Sequence, residues 1–579
     1  MINELFEYGV YLALLVALAI PLSGYINKVM AGEKTLLGKV LVPVEGFIYR
    51  TTGIDKQESM NWKRYAVSAL VFSALSLLVL FIILMVQGVL PGNPEGLEGM
   101  SWDLALNTAI SFLTNTNWQA YSGESALSYF SQAIGLTVQN FVTPAVAIGV
   151  LFALFRGMVS KGETGLGSFW ADITRAVLYI LIPLCLISTM ISISQGSPQN
   201  ISDYQTVSLV EPVQLDDGTQ VDEQVVPMGP QASQVAIKQL GTNGGGYNGV
   251  NSASPLENPT PLSNLIQCLS LLLIPVALAF SFGRFVNDRR QGRAIFAVMF
   301  SILLVALAVI AFSEMAGTPL LAQDGSVYMG TYEQSGGNME GKETRFGVTD
   351  SSIWTAFTTA ASNGAVNAMH DSYTPIGGMI PMVLMQLGEV VFGGIGCGLY
   401  SMLGFVILTV FIAGLMVGRT PEYLGKKIGP KEMRMAVILC ITTPVVILAG
   451  TALLCLDPAT VDSLNNAGAH GFSEVLYTTT STGGNNGSAF AGFNANTPFI
   501  NVVTGIEMLV NRFVPLVAAC ALAGSLATRK TVAATAGTLS THNVTFVFLV
   551  ILIVLLVGAL SMFPALALGP IAEQLQMAL

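Results

Sequence analysis

The chain has 579 residues, of which 52% are apolar and only 10% charged. A soluble domain carries about 25% charge, so an ordinary solvated globular surface is excluded. The six cysteines (Cys185, Cys268, Cys397, Cys440, Cys455, Cys520) lie in apolar stretches with no CxxC pair, and the three histidines stand singly, which argues against a disulfide framework and against a metal cluster.

The first apolar run, Leu12 to Leu22, follows acidic residues and shows no small-residue cleavage site, so it reads as a retained membrane span rather than a signal peptide. A spanning helix needs about 20 apolar residues. Suitable runs occur near 8–27, 66–91, 128–155, 176–198, 260–283, 294–313, 376–418, 435–456, 498–528 and 541–567, which makes ten. The seventh is too long for one straight span and too short for two with a loop, and is expected to be one helix broken inside the membrane.

Twenty-one of the twenty-five basic residues fall in alternate connections: Lys28 to Arg64, Arg156 to Arg175, Arg284 to Arg293, Arg419 to Arg434, and Arg529 with Lys530. The positive-inside rule places these connections in the cytoplasm. Opposite connections hold only Lys238, Lys342 and Arg345, together with acids such as Asp216, Asp217, Asp222 and Glu223. Ten spans then put both termini outside. The formal net charge of −10 says less than this distribution.

Four outside connections end in related polar stretches: Thr114-Asn115-Thr116-Asn117-Trp118-Gln119, Thr242-Asn243-Gly244-Gly245-Gly246-Tyr247, Ser362-Asn363-Gly364-Ala365-Val366-Asn367 and Thr482-Gly483-Gly484-Asn485-Asn486-Gly487. Aligned on their leading hydroxyl residues, they recur every 128, 120 and 120 residues. Each follows a semi-apolar segment long enough for a half-helix but not a span: Trp102–Leu113, Val235–Gly241, Ile353–Ala361 and Phe472–Ser481. The expected fold is therefore an all-α polytopic membrane protein with ten transmembrane helices. It contains four span–pore helix–filter loop–span repeats in a pseudo-fourfold arrangement. A leading helix and cytoplasmic loop (1–60) precede repeats at 61–165, 166–290, 291–430 and 431–530, and a final helix occupies 531–579.

Non-helical backbone at membrane depth is tolerated only where it lines a water-filled path or is buried in protein. Glycine reaches backbone angles that turn successive carbonyls toward one axis, and rings of carbonyls can replace an ion's hydration shell. The quartets Thr114–Asn117, Thr242–Gly245, Ser362–Ala365 and Thr482–Asn485 contain no carboxylate. Neutral oxygens suit a weakly hydrated monovalent cation, whereas calcium sites usually want charge.

The strings TNTNWQAYSGE (114–124), GTNGGGYNGVNSASPLENPTP (241–261), SNGAVNAMHDS (362–372), GRTPEYLGKKI (418–428) and NNGSAFAGFNANTP (485–498) carry a family resemblance. Over essentially its whole length the chain resembles the potassium-binding A subunits of the Kdp complex, the high-affinity potassium-uptake P-type ATPase of prokaryotes. It also shares the four-repeat plan of the wider potassium-transporter superfamily. The resemblance implies that K+ is bound at Thr114, Asn115, Thr116, Asn117, Thr242, Asn243, Gly244, Gly245, Ser362, Asn363, Gly364, Ala365, Thr482, Gly483, Gly484 and Asn485. It implies no organic cofactor in this chain, ATP hydrolysis by a partner subunit (KdpB), and small accessory membrane partners (KdpC and KdpF). It implies residence in a prokaryotic plasma membrane, and release of the ion sideways toward the ATPase subunit. Gln119, just after the first quartet, is expected on that exit path. One departure is visible: the family often has Cys where Asn363 stands.

Ionisable groups at membrane depth are functional candidates. Arg512 in the ninth span is expected beneath the filter, where its charge would oppose a cation leaking straight through; the alternative is a structural ion pair with Glu389 or Glu507. Glu389 precedes a glycine-rich stretch containing Gly393, Gly394, Gly396 and Gly398. Such a density of glycine interrupts a helix and suits a gate, or else serves close helix packing. His370 and Asp371 read as a solvated outside turn, and His470 and His542 carry no signal. No GxxxxGK[ST] or DKTG motif occurs, and no inside loop is long enough for a nucleotide-binding domain. A catalytic centre for ATP is thus not expected in this chain. The competing reading is a stand-alone potassium channel or symporter of the same superfamily.

Overall fold

The computed structural model describes residues 2–577 apart from 216, 318–335, 417, 419, 491–492 and 533–537. Asp216, Arg419 and part of the 485–498 string therefore lie outside the described residues.

Among these residues ten helices are long and apolar enough to cross a membrane: Glu4–Met30, Trp62–Val89, Ser131–Val159, Phe169–Gln195, Pro261–Phe285, Arg289–Ala316, Cys397–Met416, Pro430–Cys455, Pro498–Ala527 and Val544–Leu568. Each matches one expected run. Their starts are set by local chemistry. Asn61, Asp288 and Asn543 accept hydrogen bonds from backbone N–H groups in the first turn, and Thr260 forms a capping box with Ser263.

Four shorter helices precede the polar stretches: Trp102–Leu113, Gln231–Leu240, Gly347–Ala360 and Gly468–Gly483. The span following each pore loop is the more enclosed one, with 83, 78, 72 and 61% of an 18-residue apolar stretch buried. The spans that open the repeats are 22, 44, 50 and 50% buried. An inner and an outer span per repeat, with a pore helix between them, is the arrangement expected of four units around one centre.

The seventh run breaks as expected. A short helix, Pro375–Gln386, ends at Leu387, and the next helix starts at Cys397. Between them Glu389 and Phe392 hold left-handed backbone, with φ of 57° and 62°. Non-glycine residues adopt that conformation at a cost of about 1 kcal/mol each. The N–H of Gly393 donates to the carbonyl of Ala360, at the end of the third pore helix, over 2.7 Å.

Two elements fall in stretches read only as loops. A twisted antiparallel hairpin pairs Gln205–Gln214 with Gln220–Val226, and an amphipathic helix occupies Gly38–Thr52. Both lie at the periphery. The class remains helical, with two small two-stranded sheets added.

The three basic residues that break the charge asymmetry are all engaged in tying loops together. Lys238 forms a buried ion pair with Glu257. Lys342 pairs with Glu314 at 2.7 Å, both fully buried, and lies 4.0 Å over the ring of Tyr373. Arg345 donates to the carbonyls of Asn258 and Ala253. These cations therefore serve the fold of the pore-loop side.

Candidate ion site, four loops closing a ring

The backbone gives a sharper register than the hydroxyl residues did. The pore helices end at Leu113, Leu240, Ala360 and Gly483. Two residues beyond each end the chain turns left-handed, at Asn115 (φ 66°), Thr242 (48°), Ser362 (49°) and Asn485 (52°). Two residues further it does so again, at Asn117 (55°), Gly244 (74°), Gly364 (84°) and Gly487 (100°). The residue between accepts the same role in every repeat. The N–H groups of Thr116, Asn243, Asn363 and Asn486 donate to the carbonyls five residues back, of Ser111, Lys238, Thr358 and Ser481, at 2.8–3.0 Å.

The structurally equivalent segments are thus Asn115–Trp118, Thr242–Gly245, Ser362–Ala365 and Asn485–Ser488. This corrects the sequence alignment by one residue in the first repeat and three in the fourth. Thr114 caps the first pore helix and accepts no left-handed turn. Thr482 and Gly483 complete the last turn of the fourth pore helix, and Gly484 caps it by donating to Thr480 over 2.7 Å. The Thr482 hydroxyl is held by Glu507 at 2.5 Å. A usable signal existed: Thr242-Asn243-Gly244, Ser362-Asn363-Gly364 and Asn485-Asn486-Gly487 share an Asn-Gly pair in the true register.

The four segments touch in cyclic order. A Cβ at Gly244 would collide with the carbonyl of Asn363, one at Gly364 with that of Asn486, and one at Gly487 with that of Thr116. Segments one and two are joined by amides instead. Asn115 donates to the carbonyl of Thr242 (2.8 Å), Asn117 to that of Gly244 (3.1 Å) and Gln119 to that of Gly246 (3.2 Å), each pair 127 residues apart. Asn115 and Asn243 also meet through their side-chain amides.

The same central position supplies a second repeated bond. Asn363 donates to the carbonyl of Lys238 (2.9 Å) and Asn486 to that of Thr358 (3.1 Å), equivalent carbonyls on the preceding pore helices. The side-chain oxygen of Asn363 accepts from the N–H of Ala365. So Asn363 has a structural role that a cysteine would fill less completely. From behind, Trp354 and Thr358 both donate to the carbonyl of Ala365, and Ser111 donates to that of Trp118.

By contrast, the carbonyls of Thr116, Asn243, Asn363 and Asn486 accept no protein hydrogen bond among the described residues. All four residues are fully buried. A buried carbonyl without a donor is uncommon, and here the four are equivalent members of a ring that holds no carboxylate.

On the pore-helix side of this ring lies the break in the seventh span. The N–H of Ile395 donates to the hydroxyl of Thr242 over 2.9 Å, which ties the broken segment to the second loop. Its glycines serve both a turn and close packing. Gly393 and Gly398 leave no room for a Cβ between each other, and Gly396 (φ 80°) sits 2.5 Å by its Cβ position from the carbonyl of Ala147. Gly394 lies against the Glu389 carboxylate.

Arg512 is buried here and its guanidinium contacts the sulfur of Cys397. Arg512, Glu389, Thr443 and Asn511 line one small cavity. Among the described residues neither Glu389 nor Glu507 forms an ion pair with Arg512; Glu389 Oε2 and Glu507 Oε1 are without partners. Gln119, expected on an exit path, has both ends of its amide on Gly246, since the N–H of Gly246 returns a bond to Oε1 at 2.7 Å. His370, read as part of a solvated turn, is buried between Tyr477 and Thr355.

Ten spans enclosing four pore helices and a ring of loops define a pore-loop membrane transport protein. The chain belongs to a particular family of that class, described as "Potassium-transporting ATPase A subunit", whose model matches residues 9–575. It is 63% identical over 577 residues to a potassium-transporting ATPase potassium-binding subunit of Clostridium botulinum, covering 100% of both chains. It is 61% identical over 579 residues to the protein of the same name in Desulfovibrio desulfuricans, covering 99% of each. The fold is similar to that of the potassium transporter TrkH from Vibrio parahaemolyticus, with a TM-score of 0.51 at 14% identity, over 87% of this chain and 95% of that one.

Proposed function

We propose that this chain is the potassium-selecting and translocating subunit of an ATP-driven uptake complex in a prokaryotic plasma membrane, with its filter and both termini facing outward. The observation that carries the site is the set of four equivalent, buried, unpaired carbonyls at Thr116, Asn243, Asn363 and Asn486. Rings of carbonyl dipoles replace the hydration shell of a weakly hydrated monovalent cation. A ring built without carboxylates does not offer the charge a divalent ion demands. The flanking left-handed residues hold each loop open in the shape this requires, and the interloop amide bonds keep its diameter.

The broken seventh span and Arg512 form the barrier under the filter in this reading. The segment is attached to the filter through Thr242 and stands beside Arg512, a buried cation that forms no salt bridge among the described residues. A fixed positive charge there raises the energy of a potassium ion passing straight through. The chain then holds selected ions until a partner drives them on. The names of its relatives support a multi-subunit ATPase. The resemblance supports KdpB as the subunit that hydrolyses ATP, KdpC and KdpF as small accessory subunits, and sideways release toward KdpB.

Co-purification with an ATPase subunit, and ATP hydrolysis stimulated by K+ over Na+, Rb+ and NH4+, tests this reading. A chain that purifies alone and conducts K+ down its gradient in liposomes without ATP would instead be a stand-alone channel or symporter.

A further inference from the structure

The isolated histidines gave no hint of a metal cluster, yet the tertiary structure surrounds one of them with carboxylates. His470 lies in the first turn of the fourth pore helix, Gly468–Gly483. Its Nε2 is 3.0 Å from Asp371, in the turn that follows the third filter loop, and its Nδ1 is 2.8 Å from Glu573 in the C-terminal helix Pro570–Met577. Glu474 is one helical turn further along the same pore helix. One ligand atom from each of Asp371, His470 and Glu474 lies within 4.8 Å of the others.

We propose that Asp371, His470 and Glu474 form a binding site for a zinc-like divalent cation, with Glu573 holding the imidazole in place. Read as a simple salt bridge, a protonated His470 accounts for Asp371 and Glu573. It leaves one oxygen of Glu474 without a hydrogen-bond partner. That side chain is 1% exposed, its Oε1 accepts a hydrogen bond from Asn466, and its Oε2 has no partner. A buried carboxylate oxygen without a hydrogen-bond partner, in a side chain that clusters with an imidazole and a second carboxylate, is a place where a bound cation would supply the missing partner.

The donor set selects the kind of cation. One imidazole nitrogen and two carboxylate oxygens, with water completing the shell, suit Zn2+ at about 2.0–2.2 Å. Hard Mg2+ and Ca2+ prefer oxygen ligands alone. The Nδ1 contact to Glu573 is the carboxylate–histidine pairing that fixes ring orientation and raises ligand basicity at metal sites. Phe490 stacks on the ring with centroids 6.0 Å apart and planes 11° apart, which further holds its direction. Three carboxylates face one imidazole, and no Lys or Arg among the described residues forms an ion pair with any of them. A bound dication would staple the C-terminal helix and the turn after the third loop onto the helix that leads into the fourth.

The test uses the full chain, purified in detergent, stripped with EDTA and titrated with ZnCl2 by calorimetry and thermal unfolding. One Zn2+ per chain is expected, with a rise in Tm. His470→Ala should weaken binding about 100-fold or more, and Glu474→Gln and Glu573→Gln about 10-fold or more, in line with the loss of a ligand or its orienting partner. Each carboxamide keeps the shape of the residue it replaces, so folding defects are separated from lost ligation. Absence of stoichiometric binding overturns the proposal, as does equal affinity in the His470→Ala and Glu474→Gln variants. Equal stabilisation by MgCl2 overturns the assignment to a nitrogen-accepting metal.

Discussion

Gly487 of the fourth repeat stands so close to the carbonyl of Thr116 in the first that a Cβ would occupy the same space as that oxygen. Loops 371 residues apart in sequence are thereby sealed against each other, and the ring closes. Equivalent approaches join Gly244 to Asn363 and Gly364 to Asn486. In the proposed filter, selectivity by a ring of carbonyls requires that its members cannot move apart, and these contacts supply that constraint.

Gly487→Ala is therefore predicted to damage the filter twice over. It adds a methyl group at a closed contact, and it forces alanine to φ of 100°. Strain of this type costs about 1–3 kcal/mol. The K+ concentration for half-maximal ATPase stimulation in the assembled complex should rise at least about 10-fold, while Gly46→Ala, at an open helical position, should leave it unchanged.

Asn363→Ala removes a buried amide that donates to Lys238 and accepts from Ala365. Loss of such a partner costs about 1–3 kcal/mol. The expected outcome is weaker K+ stimulation and lower discrimination against Na+, measured side by side with Asn363→Cys, which should fall between wild type and alanine.

The pair Lys342–Glu314 belongs to the scaffold. Both groups are fully buried, and Glu314 also accepts from Asn338 and from the backbone of Thr374. Breaking one side of a buried pair costs about 3–5 kcal/mol. Glu314→Ala should lower the unfolding temperature of the purified chain markedly; a variant that melts with wild type would show that the pair contributes little.

Arg512→Ala tests the barrier beneath the filter. Removing the charge should permit passive K+ flux into liposomes without ATP. Normal uptake with no passive flux would dispose of the leakage role and leave Arg512 as a packing element against Cys397.

Gly396→Ala places a methyl group 2.5 Å from the carbonyl of Ala147 at a left-handed position in the broken span. Transport should be lost while K+ binding, measured by equilibrium titration, remains. Loss of both would assign the segment to the filter's support and not to a gate.

Much of the site was legible because its residue types answer backbone demands. Asparagine and glycine recur where the chain must turn left-handed, and the paired Asn-Gly of loops two, three and four marks that turn directly. The leading threonines misled. Thr482 resembles Thr242 in sequence, but its hydroxyl binds Glu507 from within the pore helix, whereas Thr242 begins the loop and receives a bond from Ile395. A hydroxyl residue fits either place, so its presence alone does not determine the register.

Sequence by itself determined the membrane class, the ten spans, the break in the seventh and the four-unit plan. Each of these follows from burial of apolar length, from the sidedness of charge, or from local backbone freedom. Only the tertiary structure decided which carbonyls remain without donors, that Asn115, Asn117 and Gln119 clasp the second loop, and that His470 meets Asp371, Glu474 and Glu573. Apart from the one-turn spacing of His470 and Glu474, those facts depend on distances between segments 99 or more residues apart, and no local propensity encodes them. They arise when inner spans pack around one centre and force buried polar groups to find partners across repeats.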